Sequence, residues 1–325
     1  MIMRMATGFA AGLLVIGISG ALYQEWCVQS ERSLFPAPGH LVSIGTRRLH
    51  LICQGEGSPT VIFETGGFAS VMSSTAGREI LSAHTRVCSY DRMGMGWSDP
   101  GPPVISVGLL AEDLRRLTES AGLQPPFILV PSSFGGLPTE MFARLYPDRV
   151  AGLVYVDAAN SAILEKLGDE IRSMSLRAAC ILPMAARLGI VRAADPFGLR
   201  KQSASWAPQS IALLYRVQTM NTLCGLARGA AASIQELTTA PPLREGVPLI
   251  VLAHERPDEL LPPGFSGPAR RLEAAWLPSQ QRFAQRSRRG SVRVVPGSDH
   301  MIGSKQPEVV AAAVMEIIKQ VRGRQ

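Results

Sequence analysis

Three stretches of the chain carry residue types that could together attack a carbonyl carbon. The first is Pro131-Ser132-Ser133-Phe134-Gly135-Gly136, which follows the apolar run Phe127–Val130 and precedes a helical pattern. A serine on a sharp strand-to-helix turn has its hydroxyl lifted above the sheet edge, beside the positive end of the helix. Register selects Ser133, because Gly135 lies two residues later, where a side chain would clash; Ser132 would put Phe134 there. The second stretch is Glu64-Thr65-Gly66-Gly67-Phe68, after the run Val61–Phe63. Its glycines let backbone N–H groups approach a ligand. The N–H groups of Gly67 and Phe134 could hold a developing oxyanion, a contribution of ~3–4 kcal/mol per donor. The third is Pro296-Gly297-Ser298-Asp299-His300, after Val292–Val295. Of the five histidines only His300 both follows a strand and comes late in the chain, which makes it the best general base. His40, His50 and His84 read as surface or hairpin residues, and His254 as a strand-end residue.

The elements that must position these groups are legible from His40 onward. Leu41–Ile44 and Arg48–Cys53, separated by Gly45-Thr46-Arg47, read as a hairpin. Val61–Phe63, Arg86–Tyr90, Phe127–Val130, Leu153–Val156, Leu249–Ala253 and Val292–Val295 are short apolar strands. Helical spacing is expected around Met72–Ala83, over Val107–Ala121 with Gly122 as its stop, around Met141–Leu145, and along Val310–Val321. Pro138 is tolerable only in the first turn of its helix. Continuous apolar strands alternating with amphipathic helices predict an α/β protein with a mostly parallel sheet of eight strands covered on both faces. Between Ala158 and about Val247 no strand pattern appears. That span is too long for a simple connection and predicts an inserted helical lid over residues 159–246, dividing a core of 40–158 and 247–325.

The 325 residues are 46% hydrophobic and 18% charged, enough for a sizeable core and too apolar for a disordered chain. The net charge of +7 invites a nucleic-acid reading, concentrated at Arg282, Arg286, Arg288, Arg289 and Arg293. No aromatic interleaving accompanies that stretch, which reads instead as a solvated helix face with its exit loop. Residues Ala6–Tyr23 form an uncharged, mostly apolar run behind Arg4. At 1.5 Å per residue it reaches about 27 Å, just enough for the hydrocarbon core of a bilayer. Residues 1–25 therefore read as a membrane anchor with the remainder outside the cytoplasm, or as a signal peptide cleaved near Ser19-Gly20-Ala21 and a secreted product. Residues 26–39 read as a linker. Of the five cysteines, Cys53 and Cys88 sit in strands and Cys180 and Cys224 in the helical middle. Two disulfides with Cys27 left over would suit an exported chain; buried free thiols are the alternative. No metal-ligand spacing and no cofactor motif is present.

Several blocks together resemble the α/β-hydrolase fold family. They are Gly39-His40-Leu41-Val42, Leu49-His50-Leu51-Ile52-Cys53, Tyr90-Asp91-Arg92-Met93-Gly94-Met95-Gly96-Trp97-Ser98-Asp99-Pro100, Ser133-Phe134-Gly135-Gly136-Leu137, Gly152-Leu153-Val154-Tyr155-Val156-Asp157 and Ser298-Asp299-His300-Met301-Ile302. The resemblance covers His40 to Gln325 and is most similar to a bacterial subgroup with an N-terminal membrane segment. It implies Ser133 as nucleophile, His300 as base, and an acid that orients His300. Asp157, ending the strand after the nucleophile helix, and Asp258, after His254-Glu255-Arg256-Pro257, both occupy positions that family members use. Glu255 stands where a glycine is usual before the later acid, and similar members with an Arg-Pro after this strand often lack that aspartate, which tilts the balance to Asp157. Asp91 and Arg92 look structural, pinning the loop beside the site. One departure stands out: the family carries Gly two residues before the nucleophile and often His directly before it, where this chain has Pro131 and Ser132.

The expected function is a serine hydrolase that cleaves a small lipophilic carboxylic ester, or a related acyl bond, through an acyl-enzyme on Ser133. A serine in that place disfavours the branches that need a carboxylate nucleophile. Pro131 motivates a second reading, a non-catalytic hydrolase-fold protein that binds a ligand or partner. No nucleic-acid partner is expected.

Overall fold

In the computed structural model, which describes residues 2–201, 207–256 and 266–323, eight strands form one sheet. They are β1 (His40–Ser43), β2 (Arg48–Gln54), β3 (Val61–Glu64), β4 (Val87–Tyr90), β5 (Phe127–Pro131), β6 (Val150–Val156), β7 (Leu249–His254) and β8 (Gly290–Val295), in the spatial order β1-β2-β4-β3-β5-β6-β7-β8. The β1–β2 and β2–β4 pairs are antiparallel; the rest are parallel. The helices are α1 (Ile2–Leu34), α2 (Thr75–Ser82), α3 (Val107–Ser120), α4 (Gly136–Leu145), α5 (Ser161–Arg187), α6 (Ile190–Ala194), α7 (Ala207–Leu214), α8 (Val217–Thr239), α9 (Ser266–Ala284), α10 (Ile302–Lys305) and α11 (Pro307–Arg322).

The two faces are filled by alternate residues of the same strands, as the two-residue period of a pleated strand requires. Ile62, Phe127, Leu129, Leu153, Tyr155, Leu249 and Val251 pack with α3, α4 and Phe283 of α9 on one face. Phe63, Ile128, Val130, Val154, Val156, Ile250 and Leu252 pack with α11 and Leu81 of α2 on the other. This double burial explains why the strands read as unbroken apolar runs. Helices α5 to α8 lie between β6 and β7 in sequence and build a separate small core from Met95, Ala186, Val191, Leu199, Leu214, Tyr215 and Met220.

Three expectations change. The linker proposed over 26–39 is mostly helix, because α1 continues to Leu34 and stops only as the chain reaches Pro36 and Pro38. Its last turns are held by the lid: Arg192 donates to Gln24 Oε1 (3.1 Å) and to both carboxylate oxygens of Glu31. Among the described residues no helix is long and apolar enough to cross a membrane. His50 lies in the β1–β2 hairpin, as expected, but is fully buried there rather than at the surface, its Nδ1 2.8 Å from Asp91 Oδ2. The basic stretch near the C-terminus is largely paired rather than simply solvated. Arg286 donates to Glu140, Ser161 and Glu165, Arg288 to Glu245 and Arg293 to Glu316.

Both cysteine pairs are disulfides, Cys53–Cys88 across β2 and β4 and Cys180–Cys224 between α5 and α8, and Cys27 is a buried free thiol.

Candidate active site

The carboxyl ends of the parallel strands β3, β5, β6, β7 and β8 lie along one edge of the sheet, the edge at which ligands bind in open α/β sheets. Ser133 sits directly past β5, with φ +49°. A non-glycine residue in the left-handed region is strained, and such strain collects at functional turns. The sharp turn leaves no room for side chains behind it. A Cβ on Gly135 would lie 2.6 Å from the Thr65 carbonyl oxygen and 2.7 Å from that of Glu64; one on Gly136 would lie 2.0 Å from the Ala159 carbonyl oxygen.

Pro131 fits because of strand parity. The β5 amides of Ile128 and Ser132 donate to the Thr60 and Glu64 carbonyls on the β3 side. Pro131 therefore points its nitrogen toward β6, where the continuous ladder has already ended at Leu129–Leu153. The missing N–H costs no hydrogen bond there.

Ser133 Oγ is 2.9 Å from His300 Nε2, and His300 Nδ1 is 2.6 Å from Asp157 Oδ2. Asp157 is also in the left-handed region, with φ +45°, and is fully buried. Burial pushes its carboxyl up, but hydrogen bonds from His254 and His300 outweigh this and hold it at about 2. An ionised carboxylate only accepts, so His300 Nδ1 carries a proton and Nε2 is left to accept one from Ser133. Asp258 lies outside the described residues.

His254, read from sequence as a strand-end residue, belongs to the same cluster. Its Nδ1 lies 2.7 Å from Asp157 Oδ2, its backbone N–H donates to Asp157 Oδ1 (3.1 Å), and its Nε2 lies 2.9 Å from Glu273 Oε1. Trp276 Nε1 also donates to Asp157 Oδ1, at 2.8 Å. The Asp157 bond pushes the His254 imidazole up, against burial and with help from Glu273, to about 9. Neither Glu273 nor Trp276 was a sequence candidate. Asp157, His254 and His300 are also the three-residue group among the described residues whose donor atoms lie close enough for a metal ion. Those atoms are committed to hydrogen bonds with one another.

The Gly66-Gly67 loop packs directly on the nucleophile turn: a Cβ on Gly66 would lie 3.3 Å from Ser133 Cβ, and one on Gly67 3.1 Å from Phe134 Cβ. Beneath the loop, buried Arg92 donates to Glu64 Oε1 (2.5 Å), the Thr65 carbonyl (2.5 Å) and the Gly66 carbonyl, and lies 5.4 Å from the Phe134 ring centre. In a trans peptide the C=O and the next N–H point opposite ways. Arg92 holding the Gly66 oxygen therefore aims the Gly67 N–H away from the guanidinium. Burial raises the Glu64 carboxyl, opposed by Arg92 and by the Tyr90 hydroxyl bonded to it. Asp91 accepts from the Val71 and Trp97 amides and meets His50, so both residues of the Asp91-Arg92 pair brace loops beside the site. Over the loop, the Phe68 ring lies tilted against Phe197 at 4.1 Å and against Tyr215 of the lid region at 6.5 Å. A groove lined by Leu164, Ile234, Leu237, Leu243 and Arg286 lies elsewhere and contains neither Ser133 nor His300.

Comparisons agree with this architecture. A family profile described as "Alpha/beta hydrolase family" matches residues 66–313. An uncharacterized Bacillus subtilis protein, YbdG, is 25% identical over 150 residues, 46% of each chain, so the match spans less than half of that curated relative. A thermophilic esterase from Thermogutta terrifontis superposes with a TM-score of 0.59 at 22% identity, over 87% of this chain and 98% of its own. A bacterial membrane phospholipase A superposes with a TM-score of 0.58 at 20% identity, over 99% and 98%. With its profile match covering most of the sequence and its eight-stranded sheet ordered as described, the chain belongs to the alpha/beta hydrolase family.

Proposed function

We propose that the chain is a serine hydrolase acting on small lipophilic carboxylic esters. The observation that carries this reading is the continuous relay from Ser133 Oγ through His300 to ionised Asp157, at 2.9 and 2.6 Å. His300 Nε2 takes the Ser133 proton as Oγ attacks the ester carbonyl, and the imidazolium that forms is stabilised by Asp157. The Gly67 and Phe134 N–H groups face the developing oxyanion. His300 then returns the proton to the leaving alcohol, and a water activated by His300 releases the acid from the acyl-enzyme. The apolar ester preference rests on the Phe68, Phe197 and Tyr215 cluster that roofs the oxyanion loop. The esterase among the superposed structures is in keeping with it.

The test is labelling with a fluorophosphonate, alongside hydrolysis of p-nitrophenyl butyrate. The expected adduct maps to Ser133 and is absent in Ser133→Ala, whose turnover falls by at least ~10⁴-fold. A folded wild-type chain that neither labels nor turns over would favour the non-catalytic reading.

We further infer that the protein is exported and held at a membrane by the exposed apolar face of α1, with the site outside the cytoplasm. Leu14, Val15, Ile16, Ile18 and Leu22 of α1 are more than half exposed, and two disulfides suit an oxidising compartment. Gly20 touches the Leu188 carbonyl so closely that α1 is part of the packed fold, which speaks for retention of the segment. Carbonate extraction of membranes from the producing cell checks it: an anchored chain stays in the pellet, a cleaved one appears in the soluble fraction.

A further inference from the structure

We infer that His254, held as an imidazolium between Asp157 and Glu273, is a positioning residue that divides the Asp157 carboxylate between two histidines and so sets the acid limit of the reaction. The inference rests on the reading above that His300 is the general base.

Asp157 offers about four acceptor sites, and four donors fill them. Oδ2 receives the Nδ1 protons of His300 (2.6 Å) and His254 (2.7 Å); Oδ1 receives the His254 amide (3.1 Å) and the Trp276 indole (2.8 Å). A carboxylate so saturated cannot rotate, which fixes the plane of the His300 ring. The second ring nitrogen of His254 faces a second carboxylate, Glu273 Oε1, at 2.9 Å. Two carboxylates that only accept are both satisfied by an imidazole only when both its nitrogens carry protons. The ring is 6% exposed, and Trp276 stacks on it with an interplanar angle of 20°. Trp276 also meets His300 edge-on at 6.0 Å, so one indole braces both imidazoles.

The charge of His254 then acts on His300. The two Nδ1 atoms share one oxygen, Asp157 Oδ2, at 2.6 and 2.7 Å, which holds the two rings close together. A second cation there opposes protonation of His300 in the resting enzyme. His300 consequently stays a free base to lower pH than it would beside an unshared aspartate. The cost is a weaker base, since Asp157 stabilises the transition-state imidazolium with a charge already partly engaged. Among the described residues, the ionisable groups around His254 are Asp157 at the end of β6, Glu273 on α9, His300 before α10, and Glu255 and Arg256 just beyond β7. Glu255 and Arg256 are directed at the Gly297 backbone rather than at the ring.

The test uses the full chain, with p-nitrophenyl butyrate hydrolysis from pH 4.5 to 10 and long-range ¹H–¹⁵N spectra of the imidazoles. In wild type both His254 ring nitrogens should show imidazolium shifts at neutral pH. His254→Asn keeps a donor toward Asp157 but no charge. Its acid limb of kcat/KM should move up by about one pH unit, the scale of a unit charge at this range partly offset by Glu273. KM should change little, because His254 touches no substrate. Glu273→Gln keeps the imidazole and its Asp157 bond, so its acid limb should not rise, while the pH at which His254 loses its proton should fall. A neutral His254 in wild type at pH 7, or an acid limb unmoved in His254→Asn, would overturn the inference. The spectra read the free protein, so they decide the protonation of His254 even if no ester is turned over and the hydrolase reading fails.

Discussion

Replacing Arg92 by methionine separates two jobs that one guanidinium performs under the oxyanion loop. Arg92 is 2% exposed and is the cation beside Glu64, itself 2% exposed. Removing it leaves a buried carboxylate with only the Tyr90 hydroxyl, and breaking one side of a buried pair typically costs about 3–5 kcal/mol. The same change frees the Thr65 and Gly66 carbonyls, so nothing fixes the tilt of the Gly67 peptide. Loss of one oxyanion donor costs about 10²–10³ in kcat, and a mis-aimed donor should cost about ten- to a hundredfold. Urea denaturation measures the first effect and p-nitrophenyl butyrate kinetics the second. The double variant Arg92→Met with Glu64→Gln removes the stranded charge, and should recover most of the stability while leaving kcat low. The reasoning is refuted if Arg92→Met loses under ~1 kcal/mol, or if the double variant recovers rate and stability together.

Three further outcomes are expected. Gly135→Ala places a methyl 2.6–2.8 Å from the Thr65 and Glu64 carbonyls and the Glu64 side chain, so fluorophosphonate labelling should slow at least tenfold, with a lowered thermal midpoint. Cys180→Ala with Cys224→Ala opens a link between residues 44 apart and should lower unfolding stability by about 2–4 kcal/mol, read by urea titration under oxidising conditions. His254, raised from 6.5 to about 9 in the folded chain, contributes stability that is complete below its unfolded value and fades as pH rises through 9. Two and a half units correspond to about 3 kcal/mol, so wild-type urea midpoints should fall between pH 7 and 10 while those of His254→Asn stay flatter.

The sheet was readable because its inner strands are buried on both faces, leaving apolar runs such as Phe127–Val130 and Leu249–Ala253 that no other element explains. The turns bearing Ser133 and His300 were readable from small residues at strand ends. What escaped depends on contacts between distant segments. His254, Glu273 and Asp157 come from β7, α9 and the end of β6, and nothing in the spacing of one announces the others. His50 looked like a polar hairpin residue because its partners, Asp91 and Ser98, lie more than 40 residues away. The turns of α1 beyond Glu25 looked like linker because Pro36 and Pro38 drew attention, whereas Arg192, 161 residues from its partner Glu31, is what holds them.

Ser133 and Asp157, at the ends of adjacent strands, both hold the left-handed backbone that glycine adopts without penalty. Each non-glycine residue kept there costs roughly 1–2 kcal/mol. At Ser133 the change that relieves this strain also deletes the proposed nucleophile, so durability and reactivity pull in opposite directions at a single codon. A library of this gene sorted by heat survival alone would accumulate Ser133→Gly among its earliest winners. Any programme to toughen the protein must therefore score turnover in the same round, or it will select a sturdy scaffold that has lost its chemistry.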